Sequence, residues 1–239
     1  VSLPIVVLAG GLATRLGPLT ERVPKLLIEV AGRPFGEHQI DLFRRQGLSR
    51  VVYCVAHLGD QIAAALGDGS RCEMTFTYVF DGPRPLGTGG ALRHALPHLG
   101  EAFFVIYGDS YLLCNFAAVE RGFRASGKPG LMTVFRNDNR WDRSNVVYDS
   151  GRILRYDKEP EAGQTMHHID YGLGILTPAA FEPWTDVTGP FDLAAVYRDL
   201  ISRNALAGHE VHERFYEIGS SEGLKDARAF LEARAQAAT

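Results

Sequence analysis

The stretch Ile5-Val6-Val7-Leu8-Ala9-Gly10-Gly11-Leu12-Ala13-Thr14-Arg15-Leu16, continued by Pro18-Leu19-Thr20 and Pro24-Lys25, sets the reading of the whole chain. Four successive apolar residues with no polar alternation fit a strand buried on both faces. Adjacent glycines directly after it let the backbone turn through positive φ and approach a ligand closely. Main-chain N–H groups exposed in such a turn form an anion-binding nest. Arg15 adds a rigid fork of donors and Lys25 a point charge. Residues 10–25 carry a net charge of +2, from Arg15, Arg22 and Lys25 against Glu21. By residue types alone the stretch reads equally as a tight turn beside two solvated cations. It is neither a G-x-G-x-x-G dinucleotide fingerprint nor a Gly-Lys-Ser/Thr phosphate loop.

Outward from this stretch, short apolar runs alternate with helical patterns. Pro34–Arg45 predicts a helix that stops at Gly47, Val51–Val55 a second buried strand, and Asp60–Leu66 a short helix closed by Gly67. Met74, Phe76, Tyr78 and Phe80 follow the two-residue period of a strand. The Gly/Pro-rich segment 82–90 leads into a helix through Leu96, and Phe103–Tyr107 is a strand ending at Gly108-Asp109. Strands separated by helices of this length imply βαβ units and a mostly parallel sheet. Beyond about residue 130 the strands crowd together: Leu131–Phe135, Asn145–Tyr148 and Ile153–Tyr156, the last two joined by the hairpin signal Asp149-Ser150-Gly151. Ile169–Leu176 reads as a Gly-interrupted strand or bulge, and Phe191–Arg203 and Ser221–Ala237 as helices. The expected fold is a Rossmann-like three-layer α/β/α sandwich with a mixed, mostly parallel sheet and a small antiparallel extension. It is expected as a single domain over 1–239, in two halves, 1–130 and 131–239.

Composition narrows the class. The 239 residues include 25 Lys+Arg and 28 Asp+Glu, a formal charge of −3, with 46% hydrophobic residues. That mix belongs to a globular chain and excludes a disordered one. The charge gives no drive toward nucleic-acid polymers. Three scattered cysteines and no basic leader before Ile5 predict a reduced, cytoplasmic protein, and no apolar run reaches the ~18 residues of a membrane span.

Gly10-Gly11-x-x-Thr14-Arg15-Leu16-x-Pro18-Leu19-Thr20…Pro24-Lys25 resembles the signature loop of the sugar-1-phosphate nucleotidyltransferases. The resemblance continues in order. Leu86-Gly87-Thr88-Gly89-Gly90-Ala91 is similar to the family's Gly-rich base-binding segment, and Gly108-Asp109 to its metal-binding Gly-Asp. Asp157-Lys158-Glu159-Pro160 resembles its Glu-Lys-Pro element, Asp170-Tyr171-Gly172 its Asn-x-Gly sugar contact, and Glu217-Ile218-Gly219 its late Asp-x-Gly. Gly32-Arg33-Pro34-Phe35 and Pro85–Ala91 are similar to the heptose-1-phosphate guanylyltransferases, and Gly67-Asp68-Gly69-Ser70 to the N-acetylmuramate-1-phosphate uridylyltransferases.

The resemblance implies a Mg²⁺-dependent transfer of a nucleotidyl group from an NTP to a sugar 1-phosphate, with release of pyrophosphate. Arg15, Lys25 and Asp109 would be catalytic: Arg15 on the β,γ-phosphates, Lys25 at the α-phosphate, and Asp109 with Glu217 on the metal. Leu8, Ala9, Gly10, Gly11, Thr14, Pro85, Gly87, Thr88 and Gly90 would hold the nucleotide, with the base lying on Gly87 and Gly90. Asp157, Lys158, Asp170, Tyr171 and Gly172 would bind the sugar phosphate, Tyr171 by stacking. Glycine rather than glutamine near Gly90 removes a side-chain reader of thymidine or uridine bases, and GTP with a heptose- or mannose-like 1-phosphate is the expected pair. A UTP-dependent enzyme on an amino-sugar 1-phosphate, a cytidylyltransferase on a sugar phosphate or phosphocholine, a non-catalytic nucleotide-sugar-binding paralogue and a nicotinamide-dependent oxidoreductase are the rivals. A homodimer is compatible with this family. His167-His168 is a tempting metal pair, but neighbours on a strand point to opposite faces. Arg140, Trp141 and Arg143 read as a surface loop or a lid over the sugar.

Overall fold

The computed structural model describes residues 3–11, 22–158 and 166–237. Thr14, Arg15 and the residues around them, and Glu159-Pro160, lie outside the described residues. Strand β1 (Ile5–Leu8) is buried along its whole length. It sits between β4 (Arg50–Val55) and β6 (Phe103–Tyr107), parallel to both. After the two-residue strands β2 (Glu29–Val30) and β3 (Arg33–Pro34) comes α1 (Phe35–Arg45), and after β4 comes α2 (Gly59–Leu66). Strand β5 (Thr75–Phe80) extends the sheet, parallel to β4. The remaining elements are α3 (Gly87–Ala95), β7 (Ser110–Leu112), α4 (Phe116–Ser126), β8 (Gly130–Arg136), β9 (Val146–Asp149), β10 (Arg152–Tyr156), β11 (His168–Leu176), α5 (Leu193–Ser202), β12 (Leu206–Val211), β13 (Phe215–Glu217) and α6 (Ser221–Gln236).

The main sheet has the order β5-β4-β1-β6-β11-β8-β12-β10-β9 and runs through both halves of the chain. Ile5 and Val7 face one core with Phe43 of α1, Phe116 of α4 and Ala227 of α6; Val6 and Leu8 face the other with Leu92 of α3 and Val196 of α5. Both faces are thus covered by helices, which is why the central strands read as apolar runs. Parallel pairing dominates only from β5 to β6 and recurs at β12 with β8; the other neighbours are antiparallel. The sheet is therefore mixed as expected, but less parallel than the βαβ reading implied. The reason is β11, which runs antiparallel between β6 and β8, together with the antiparallel β9–β10 hairpin. β12, hidden from pattern reading by its polar middle, Gly208-His209-Glu210, inserts beside β8 and pushes that hairpin to the edge.

Two local departures from regularity shape one end of the sheet. β11 changes register between Asp170 and Gly174, where it bulges against β8. β7 and β13 form a separate antiparallel ribbon in which Glu217 pairs with Ser110. Helix α3 starts at Gly87, so the last four residues of the Gly/Pro-rich segment form its first turn and residues 82–86 precede it.

Candidate active site

The site lies at the carboxyl ends of β1 and β6, where open α/β sheets leave a crevice for ligands. The Ala9 N–H donates to Cys54 O (2.8 Å) and the Gly108 N–H to Leu8 O (2.9 Å), fixing both strand ends side by side. The first cavity is lined by the Leu8–Gly11 turn, by Pro85, Gly87, Thr88 and Ala91, and by Cys54 and Asp81, among others. The second is lined by Asn145, Tyr156, Lys158, Asp170, Gly172 and Glu217, among others. Lys25, Tyr107 and Asp109 line both, so the two cavities meet at these residues.

At that junction Lys25 Nζ lies 2.7 Å from Asp109 Oδ2, both side chains about three-quarters buried. The ribbon brings Glu217 alongside. The Ile218 N–H donates to Asp109 O (2.9 Å). Glu217 Oε2 accepts from the Gly219 N–H, and Oε1 accepts from the Ser220 hydroxyl at 2.6 Å. Ser220 in turn caps α6 through the Gly223 N–H, so Glu217 is held where a helix N-terminus favours negative charge. A Cβ on Gly219 would stand 2.7 Å from Glu217 Oε2 and 3.0 Å from Asp109 Oδ2, which puts those oxygens within 5.7 Å of each other. The same Cβ would lie 3.4 Å from Lys25 Nζ. Only glycine leaves this space open. Two carboxylates at this separation are hard oxygen donors of the kind Mg²⁺ takes, one or two per ion with phosphate and water completing the shell. The Lys25 ammonium on Asp109 Oδ2 shows that this oxygen accepts a cation.

Asp81 ends β5 as Asp109 follows β6, a strand-end Asp beside Gly that sequence reasoning passed over. Its Oδ2 accepts from the Leu86 N–H (2.8 Å), and burial pushes its carboxyl above the usual range. Cys54, facing the same cavity, has its thiol pushed by burial up to about 12. In the second cavity burial also raises Asp170, which accepts from the Gly172 N–H (3.0 Å) and from Tyr156. Lys158 donates to both oxygens of Asp192, at 2.9 and 2.8 Å, a partner 34 residues away that no motif marks.

Three of the expected site residues are placed away from an open cavity surface. Gly90 does not line the first cavity: α3 turns it inward against Leu86 and Phe191, and Gly87 and Gly89 owe their lack of a side chain to Phe191 packing on them. Tyr171 is among the residues lining the second cavity, but its ring is buried beside Phe135 and Phe215, and its hydroxyl accepts from the Leu113 N–H. Asp157 lines neither cavity, and its carboxylate faces Arg155 at 3.5 Å. His167 and His168 take separate partners, Asp138 and Glu210. Trp141 stacks on Arg214, 3.5 Å from guanidinium carbon to ring centroid, next to Asp142 on the rim of the second cavity. No described helix is long and apolar enough to cross a membrane.

Comparison with known proteins gives this geometry a context. The family model of the MobA-like NTP transferase domain matches residues 5–237. A mannose-1-phosphate guanyltransferase beta-B of Xenopus laevis is 30% identical over 188 residues, 74% of this chain and 50% of the relative, so the chain spans about half the length of that protein. An N-acetylmuramate alpha-1-phosphate uridylyltransferase of Neisseria meningitidis is 29% identical over 228 residues, covering 93% of this chain and 96% of the relative. The structure of HddC from Yersinia pseudotuberculosis complexed with GMP-PN superposes with a TM-score of 0.78 at 20% identity, over 96% of this chain and all of that one. The last likeness concerns the fold.

Proposed function

From the premise that the chain belongs to the MobA-like NTP transferase domain family, we propose that it transfers a nucleotidyl group from an NTP to a sugar 1-phosphate and releases pyrophosphate. The observation that carries this reading is the meeting of two cavities at Lys25 and Asp109. A nucleotide lying in the first and a sugar phosphate in the second would bring the attacking oxygen and the α-phosphorus together at that junction. Asp109 and Glu217 would hold Mg²⁺, which supplies neutralisation of phosphate charge. Lys25 serves the α-phosphate and Lys158 the sugar phosphate, so that two anions can approach. By its resemblance to the family loop, Arg15 serves the leaving β,γ-phosphates. A phosphate monoester has its second pKa near ~6, so the nucleophile is already a dianion at neutral pH and needs no general base. The protein's contribution is alignment and charge stabilisation.

GTP is the proposed donor, and Asp81 supports it. A carboxylate is acceptor-only, and guanine presents two adjacent donors, N1–H and the 2-amino group. Uracil and thymine present one N–H between two carbonyls, which a carboxylate repels. Oδ2 keeps a second lone pair beside the Leu86 N–H, so the two oxygens can receive the two guanine donors. A mannose- or heptose-like 1-phosphate is the proposed acceptor. UTP with an amino-sugar 1-phosphate is the second reading, favoured by the uridylyltransferase relative, which matches over nearly its whole length. A pyrophosphate-release screen of four NTPs against a panel of sugar 1-phosphates with Mg²⁺ decides. Turnover confined to GTP with one hexose or heptose phosphate is expected. Turnover with UTP alone selects the second reading, and none in any pairing refutes both.

A further inference from the structure

Lys158 and Thr88 belong to different cavities, yet both reach one carboxylate. Asp192 receives Lys158 Nζ on both oxygens. Its Oδ1 also accepts from the Thr88 hydroxyl (3.2 Å) and caps α5 through the Ala194 N–H (2.8 Å). Thr88 completes the link by accepting the Leu193 N–H at 2.8 Å. The segment that carries Asp192 is fixed to the first cavity's wall. The Phe191 N–H donates to Leu86 O and the Gly89 N–H to Phe191 O, both at 3.0 Å. The Phe191 ring stacks with the Trp184 ring, 4.9 Å away, and meets the Arg93 guanidinium at 5.1 Å. Arg93 also donates to Val187 O at 2.8 Å. A braced strut therefore runs from α3 to the only described cation on the far side of the second cavity.

We propose that Asp192 is a positioning residue that holds Lys158 in register with the nucleotide cavity and keeps it from capturing small anions. This rests on the reading of Lys158 as the sugar-phosphate ligand. An ammonium has three N–H donors. Two are committed to Asp192, and one remains to be directed at a ligand. The pair carries little net charge, so an anion must match the direction of that donor as well as supply charge. A freed Lys158 would be a mobile point charge, attractive to any phosphate and poorly aligned.

The test is isothermal calorimetry of orthophosphate binding to the full chain, with steady-state kinetics beside it. Asp192→Asn keeps a good N-cap for α5, so its melting temperature should match the parent. It should bind orthophosphate about three- to fivefold more tightly, in line with the modest worth of a half-exposed ion pair. Its kcat should fall about tenfold through lost alignment. Thr88→Val should shift orthophosphate affinity in the same direction by less. In a Lys158→Ala background the effect of Asp192→Asn should vanish. Unchanged affinity in Asp192→Asn, or an effect that survives in Lys158→Ala, overturns the proposal. A parent protein inactive with every substrate pair defeats the functional reading instead, and the calorimetry still reports on Asp192.

Discussion

Asp109 and Glu217 differ in what their surroundings ask of them. Glu217 is satisfied by its own helix terminus, whereas Asp109 has Lys25 as its side-chain partner on Oδ2. Replacing Asp109 by Asn should therefore lower turnover at least about 10³-fold, the scale of losing one preorganised charge contact. Stability should change by no more than about 1 kcal/mol, measured by pyrophosphate release and thermal melting. Asp170 is expected to behave in the opposite way. Burial raises its native pKa above that of the unfolded chain, so between those values the native state binds more protons. The stability it permits is full in acid and is lost as pH rises through that window. Asp170→Asn should raise the melting temperature at pH 7, and the gain should shrink on titration to pH 4. A gain that grows in acid would contradict this. Cys54 and Cys114, with thiols pushed up to about 12 by burial, should resist iodoacetamide at pH 8 because the thiolate is the nucleophile. Mass spectrometry should find Cys72, which is partly exposed, labelled first.

Among the elements, α3 and the β7–β13 ribbon do most to place the site. Gly87 opens α3 at φ 73°, and a Cβ there would stand 2.5 Å from Phe191 O. Gly87→Ala should cost about 2–4 kcal/mol, lowering the melting temperature by about 5–10 °C, and should weaken nucleotide binding in calorimetry more than sugar-phosphate binding. The strands that line the crevice were legible in the sequence because they are buried on both faces and end in glycine: Ile5–Leu8 before Gly10-Gly11, and Phe103–Tyr107 before Gly108-Asp109. The hairpin at Asp149-Ser150-Gly151 was legible from its turn residues. β12 and β13 were not. β12 has a polar centre, and β13 is three half-buried residues whose only described strand partner is the distant β7. Asp192 was hidden for the same kind of reason. It reads as the N-cap of a helix, and only the tertiary approach of Thr88 and Lys158 gives it a further role.

Across the whole molecule, one sheet carries both cavities, and its two halves join where β6 pairs with β11. Described residues of the N-terminal motif line the first cavity, and residues of the later motifs line the second. That they share Lys25, Tyr107 and Asp109 could not be read from spacing, because it depends on the bulge in β11 and the ribbon that returns Glu217 to Asp109. The central claim is that this shared junction is the reacting centre. Its most direct test is a crystal structure of the protein with a non-hydrolysable GTP analogue, Mg²⁺ and mannose 1-phosphate. The account predicts the base at Asp81, the α-phosphate between Lys25 and Asp109, and the sugar phosphate on Lys158. A triphosphate bound away from Lys25 and Asp109 would contradict it.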